Sequence, residues 1–483
     1  MHVRSSVPFA LFTAVTALAG CWLDGTPAGV SAGPEPGAAV PPPPPPATIE
    51  NALSCATLGA VGFPRPGPDM QLFALPTATF PGALCNDGSP AILYFRPGRG
   101  AGLGHWLIEL EGGGGCRTAQ ECADRYCSVN TNFGRQHMGS ADYVASVPAM
   151  AATGIQSITV GPYLDYNHVF LHYCSSDGWA GNSSSTTGTA LDPPTHTSPV
   201  TFSTRFNGNA ILAAAIRVLR RDGAVLPPFT LGGGGIVVMP DLDDATGNVV
   251  IAGGSAGGMG VERQLDRTVA GLIANHNPSL PLPFYSGMID SAFAPALEGL
   301  GFQFTDPCTT AGACDWPSFI AATGSYYPKL SDASCVAMHP AADAFRCDDP
   351  SHLVRNHLTT PFFLRQGETD SLLSDNYQNR DKIATSPTAA AAMTVTEFEG
   401  LVRQQAELLP FWNLIAEEPP GRLPGGFVPD CPRHDPLRNN AAFFLTSIGT
   451  WTWGQVWDNW RNLTAPGREV SDPAIPGTAS TCF

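Results

Sequence analysis

Charge is scarce in this chain. Only 14% of its 483 residues are Asp, Glu, Lys or Arg, and the shortage falls on the basic side, 25 Lys and Arg against 41 Asp and Glu, a formal net charge of −16. Binding a phosphate backbone needs clustered cations, and no basic stripe interrupts the sequence, so nucleic acid is not an expected partner. The same balance repels a polyanionic substrate at long range, although a local basic patch would reverse the sign near a site. Phosphate-cradling glycine patterns are missing too. None of the runs at 98–104, 112–115, 232–235 and 253–260 reads G-x-G-x-x-G, and no G-x-x-x-x-G-K-[ST] accompanies them. There is no C-x-x-C and no pair of histidines at metal-ligand spacing beside the cysteines, which argues against zinc. The expectation is therefore no metal and no cofactor. An internal repeat and a second linker after about residue 50 are likewise lacking, which favours one folded domain from there on.

With 43% hydrophobic and 9% aromatic residues the chain can bury a large core, and 46 prolines with 52 glycines imply many turns. Residues 1–20 hold Arg4, an apolar stretch from Val7 to Leu18 and no acidic residue, the layout of a secretory signal and too short for a spanning helix. The end of that stretch, Leu18-Ala19-Gly20-Cys21, resembles the lipobox of bacterial lipoproteins, in which cleavage precedes a cysteine that then receives lipid. Trp22 in place of Asp resembles the lipoproteins sorted to an outer membrane. The expectation is an exported lipoprotein at the outer membrane or cell surface, held to the membrane through lipidated Cys21 alone. From residue 21 to 50 the chain is rich in Gly, Ala and Pro, with six consecutive prolines from Pro41 to Pro46, and reads as a semi-rigid tether leading to a domain over 51–483. Twelve cysteines besides Cys21 remain, at 55, 85, 116, 122, 127, 174, 308, 314, 335, 347, 431 and 482, an even number suited to disulfides in an oxidising compartment.

The most informative segment is 248–258, an apolar β-branched run ending in Gly253-Gly254-Ser255-Ala256-Gly257-Gly258. It reads as a nucleophile elbow, a serine on a sharp strand-to-helix turn whose flanking glycines let neighbouring backbones pass. Val261, Leu265, Val269 and Leu272 recur near helical spacing and supply the helix after it. Strands are expected at 91–95, 106–110, 168–173, 236–239, 248–252, 284–289 and 361–364, with helices at 209–219 and 398–411. Strands alternating with helices imply an α/β fold, a mostly parallel central sheet covered by helices on both faces.

A serine hydroxyl needs a base, and the base needs an orienting acid, in the chain order Ser, Asp or Glu, His. The apolar run 361–364 leads into Arg365-Gln366-Gly367-Glu368-Thr369-Asp370, a strand-end loop in which Asp370 is the preferred acid and Glu368, Asp375 and Asp290 are rivals. After Asp370 the chain has one histidine, His434, which makes it the candidate base. For the oxyanion, Ala256 offers the backbone N–H after the nucleophile, and the side-chain-free run 112–115 after strand 106–110 offers others. The run 232–235 competes less well because it precedes a strand.

Taken together, these segments resemble the pectin acetylesterase and Notum family of carboxylesterases. The resemblance is carried by 84–91, by Leu110-Glu111-Gly112-Gly113 with Cys116 and Cys122, and by 173–179. It continues through 254–258, Asp290-Ser291, Asp370, and Cys431 with His434, all in the family's order. It implies an α/β-hydrolase-like fold in a single disulfide-rich domain, Ser255 as nucleophile, Asp370 as acid, His434 as base, and Gly113, Gly114 and Ala256 as oxyanion donors. Asp290 would be structural or substrate-side. With proximity along the chain it also implies disulfides 85–174, 116–122, 308–314, 335–347 and 431–482, leaving Cys55 and Cys127 as the sixth pair. Where the family has a tryptophan in or just after the glycine run, this chain has Gly114 and Gly115. The implied activity is hydrolysis of acyl esters, O-acetyl groups on a carbohydrate or other polar alcohol being the expected substrate. A long-chain acyl esterase of the same fold and a non-catalytic cell-surface binding protein are the alternatives.

Overall fold

The computed structural model describes residues 46–55, 69–129, 134–146, 149–230, 236–270, 285–298, 302–303, 315–375, 384–385, 395–407, 424–462, 469–471 and 480–483. The expected signal, Cys21, most of the tether, the Cys308 and Cys314 pair and the glycine run 232–235 lie outside them. One compact unit spans Pro46–Phe483. The end of the expected tether already belongs to this unit: Ala47 O accepts from Ser203 N at 2.8 Å, and a helix starts at Ile49, which is buried. Among the described residues no helix is long and apolar enough to cross a membrane.

A ten-stranded sheet forms the centre. Its order from one edge is Glu469–Ser471, Gly425–Val428, Phe362–Arg365, Tyr285–Asp290, Val249–Gly254, Trp106–Leu110, Asn167–Leu171, Ile92–Arg96, Met70–Ala74 and Ala149–Met150. The first seven run parallel and the last three are joined by antiparallel pairing. The central parallel strand carries the apolar run Val249-Val250-Ile251-Ala252, buried on both faces as its place in the sheet demands. The strand expected at 236–239 is instead the pair Ile236–Val237, bound antiparallel to Phe229–Thr230 outside the central sheet. A short β-branched stretch signals extended backbone but not which sheet it joins.

Helices cover both faces. On one, Gly208–Leu219 presents Ile211, Leu212, Ala215, Ile216 and Leu219 to the core, a repeat at helical spacing. On the other, Trp453–Arg461 opens with a capping box of Thr452 and Gln455 and lays Trp453, Trp457 and Trp460 against Phe363 and Phe427. The expected helix at 398–411 is observed as Val395–Val402, followed by a wider turn over Arg403–Glu407.

The elbow helix Ala256–Gln264 approaches the sheet most closely. A Cβ on Gly257 would stand 2.0 Å from the Leu110 carbonyl oxygen, a backbone atom that cannot retreat. Gly400, in the helix Val395–Val402, has nothing within 4 Å of an added Cβ. The two glycines predict opposite outcomes in chemical denaturation. Gly257→Ala lowers stability by about 3 kcal/mol or more through forced backbone displacement, and Gly400→Ala raises it by about 0.5–1 kcal/mol by restricting the unfolded chain.

Candidate active site

The parallel strands end level with one another: Gly253 pairs with Leu110, Gly254 with Asp290, and Asp290 with Arg365. Four loops therefore leave the sheet at one edge, beginning at Glu111, Ser255, Ser291 and Gln366, where ligands gather in such sheets. Ser255 sits at φ 55°, ψ −125°, a conformation that a non-glycine residue holds only when its surroundings impose it. Its backbone N–H donates to Asp290 O at 2.9 Å and its carbonyl accepts from Met259 N at 3.0 Å, so the turn is pinned on both sides. Close packing accounts for the flanking glycines. A Cβ on Gly254 would lie 1.9 Å from an Asp435 carboxylate oxygen.

His434 Nδ1 lies 2.9 Å from both carboxylate oxygens of Asp370, which is fully buried. Asp370 Oδ1 also accepts from Leu373 N at 3.1 Å, and Gln366 Nε2 reaches Oδ2 at 3.5 Å. Glu368, two residues earlier and equally buried, is taken by an ion pair with Arg403. His434 Nε2 is buried and without a hydrogen-bond partner among the described residues. Ser255, Ala256, Gly114 and His434 line one cavity of about 510 Å³.

The glycine loop is held from behind. Glu111 accepts from His172 Nδ1 at 2.6 Å and Tyr173 N at 3.0 Å, while its carbonyl accepts from Trp179 Nε1 at 3.1 Å. Gly113 and Gly114 take φ of 137° and 69°, and the His137 ring fills the place of a Cβ on Gly113. Buried Arg125 donates to Gly113 O at 2.7 Å. In a planar trans peptide the next N–H points the opposite way, so this bond turns the Gly114 N–H away from Arg125. The disulfide Cys116–Cys122 closes the far end of the loop.

Asp290 does not face His434 as a triad acid. It pairs with Arg365 at 3.2 Å, both buried, and accepts from Leu437 N at 3.1 Å. Ser291 Oγ accepts from Asp435 N at 3.1 Å and from Arg365 Nη1 at 2.9 Å, and Arg365 also reaches Arg433 O at 3.3 Å. Three backbone groups around His434 are thus clamped from the sheet edge. Burial pushes the Asp290 carboxyl up to about 7 against the opposing pull of Arg365. Arg125 and Arg365 escaped the sequence reading because a lone arginine carries no local signal; the Asp290-Ser291 motif was the visible half of the clamp.

Disulfides join Cys55 to Cys127, Cys85 to Cys174, Cys116 to Cys122, Cys335 to Cys347 and Cys431 to Cys482. The last ties the start of the His434 loop to the C-terminal segment.

For His434, burial disfavours the cation most, but the Asp370 hydrogen bond and the charges of Asp370, Asp435 and Asp290 together outweigh it and raise the pKa above 6.5. A raised folded-state value contributes stability that is fully present below the unfolded pKa of about 6.5 and lost as pH rises through the folded one. NMR titration of the His434 ring is expected to give a midpoint above 6.5 that falls in Asp370→Asn.

The family model for pectinacetylesterase matches residues 65–224. Human palmitoleoyl-protein carboxylesterase NOTUM is 30% identical over 266 residues, 54% of this chain and 44% of that protein. The zebrafish inactive palmitoleoyl-protein carboxylesterase notum1b is 37% identical over 105 residues, 21% of this chain and 68% of that one. The solved structure of the Wnt deacylase Notum from Drosophila shares the fold at a TM-score of 0.57 and 22% identity, covering 84% of this chain and 97% of that one. The chain spans about half the length of the first curated relatives it matches.

Proposed function

This chain belongs to the pectinacetylesterase family, and from that premise we propose that it is a carboxylic ester hydrolase working through Ser255, His434 and Asp370. The observation that carries the reading is the strained Ser255 sharing a cavity with a histidine whose Nδ1 is held by a buried carboxylate and whose Nε2 is unpartnered. His434 Nε2 removes the hydroxyl proton as Ser255 Oγ attacks the acyl carbonyl, and Asp370 keeps the ring in the Nδ1–H tautomer. Backbone N–H groups of Gly113, Gly114 and Ala256 take the developing oxyanion, the middle one aimed by the Arg125 bond to Gly113 O. Collapse expels the alcohol, which receives the proton from His434, and water activated by the same ring then releases the acid and restores Ser255.

The lining of the cavity bears on the substrate. Arg117 with Glu121 at 3.1 Å and Lys329 with Asp348 at 3.8 Å are charge pairs within it, a polar wall with little net sign. That wall suits a neutral hydroxylated carrier, so an acylated carbohydrate or similar polar alcohol is the preferred substrate and acetyl the preferred acyl group. Met259, Trp316, Phe319, Ile320, Leu372 and Leu373 add an apolar lining that favours a second reading, a longer acyl chain. The names of relatives include palmitoleoyl-protein carboxylesterase, in line with that alternative. A purely binding role is disfavoured because all three reactive side chains are retained.

A series of acyl esters of increasing chain length separates the two readings. The short-acyl reading expects kcat/KM to be highest for acetyl; a rise persisting to about eight carbons, where each buried CH₂ adds roughly 0.8 kcal/mol, would replace it with the long-chain one. Ser255→Ala is expected to lose several orders of magnitude in turnover while keeping the wild-type melting curve, and near-normal turnover of the folded variant would end the serine mechanism.

We also propose export as a lipoprotein with Cys21 as mature N-terminus, supported by the lipobox-like segment and the disulfides. Intact mass of the membrane fraction is expected to show N-terminal acyl chains, and a soluble protein with an unmodified N-terminus would refute the anchor.

A further inference from the structure

Away from the serine, the segment 332–357 gathers three of the chain's eleven histidines. His339 caps the helix Ala333–Met338, His352 lies within the helix Pro350–Asn356, and His357 caps that second helix. The disulfide Cys335–Cys347 and the packing of both cysteines on Leu353 hold the two helices together. As a result the Nε2 atoms of His339 and His352 are 2.9 Å apart and those of His352 and His357 are 3.3 Å apart. His357 is buried, and the other two rings are half-buried at a rim that an ion can reach.

The atoms behind the rings decide what these nitrogens can do. Ser334 Oγ donates to Asp332 Oδ1 at 2.6 Å, which leaves a lone pair to accept from His357 Nδ1 at 2.9 Å. With its hydrogen on Nδ1, His357 directs a lone pair from Nε2 toward His352. Asn356 Nδ2 donates to His352 Nδ1 at 3.2 Å, so the hydrogen of His352 sits on Nε2, between the nitrogens of its two neighbours. One proton thus occupies the point on which three imidazoles converge. A small cation fits the same point. With metal–nitrogen bonds of about 2.0–2.1 Å, tetrahedral ligands stand about 3.3–3.4 Å apart, close to the 2.9 and 3.3 Å that separate His352 Nε2 from its two neighbours, and all the ligand atoms lie within 4.8 Å of one another.

We propose that His339, His352 and His357 bind one divalent transition-metal ion through their Nε2 atoms, with water in the fourth position. Imidazole donors select zinc, copper or nickel over calcium and magnesium. Cys335 Sγ lies within 4.8 Å of these nitrogens, but its disulfide to Cys347 removes the thiolate a metal requires. In the loaded site His352 carries its hydrogen on Nδ1, which gives up the 3.2 Å contact from Asn356 Nδ2, while Asn356 keeps its 2.9 Å bond to the His352 carbonyl. The ion joins two helices and takes no part in the ester chemistry. Asp348 and Pro350, from the same segment, line the catalytic cavity, so the ion steadies one of its walls.

The test uses the full chain stripped with a chelator and titrated with Co(II), then Zn(II). Expected are one equivalent of Co(II) with the intense visible bands of a four-coordinate site, displacement by Zn(II), and a Tm that rises with Zn(II). X-ray absorption of the zinc-loaded wild type is expected to count three imidazoles and no sulfur, a reading that needs no variant. His339→Gln and His352→Gln, both at half-exposed positions, are expected to lose the bands, and Ser334→Ala to weaken binding about 10- to 100-fold. Absent bands and an unmoved Tm in the wild type, a six-coordinate spectrum, or bands surviving in both histidine variants would each overturn the site.

Discussion

The buried pair of Asp290 and Arg365 is the constraint on which the placement of His434 depends. Both lie at strand ends, so the sheet fixes their positions before any loop is considered. Between them and Ser291 they engage Arg433 O, Asp435 N and Leu437 N, the backbone on either side of His434. A buried pair of this kind is weak evidence for stability, since desolvation offsets most of the Coulomb attraction. Its value lies in direction. A loop that would otherwise sample many conformations is held where its imidazole meets Asp370 and lines the cavity that Ser255 also lines.

The glycine loop obeys a second constraint of the same kind. Two residues at positive φ would be mobile if left alone, since glycine loses the most freedom on ordering. Here Glu111 anchors the entry, Cys116–Cys122 the exit and Arg125 the middle carbonyl. Burial pulls the Arg125 guanidinium down to about 10, yet it stays cationic at neutral pH. In the proposed oxyanion role, backbone donors held in this way would not have to reorient as charge develops.

The cavity lined by Ser255 and the histidine cluster share a stretch of chain. Asp349 accepts from Trp316 Nε1 at 3.1 Å and caps the helix bearing His352 through Ser351 N at 3.0 Å. Trp316 lines the cavity, so one carboxylate links the apolar wall to the helix of the proposed metal site. A change in the order of this segment would reach the cavity through that residue.

Much of this was legible along the chain. The elbow could be read because an apolar β-branched run, a serine among glycines and a helical repeat are all local patterns, recorded by neighbours in sequence. His434 is the one histidine after Asp370, and it is the histidine that meets that carboxylate in the fold. Other features were not legible. Glu368 and Asp370 stand two residues apart on the same loop, and only packing sends one to Arg403, 35 residues on, and the other to His434, 64 residues on. The clamp at Asp290 reaches 147 residues to Leu437, and although His352 and His357 stand at an H-x4-H spacing, His339 joins them only because the Cys335–Cys347 disulfide folds its helix back. Composition and periodicity determined the fold class and the serine turn, because those depend on contacts between near neighbours. Which carboxylate meets the imidazole, which arginine aims the glycine loop and where histidines converge were decided by tertiary structure, because each is a contact between chain segments that no local pattern records.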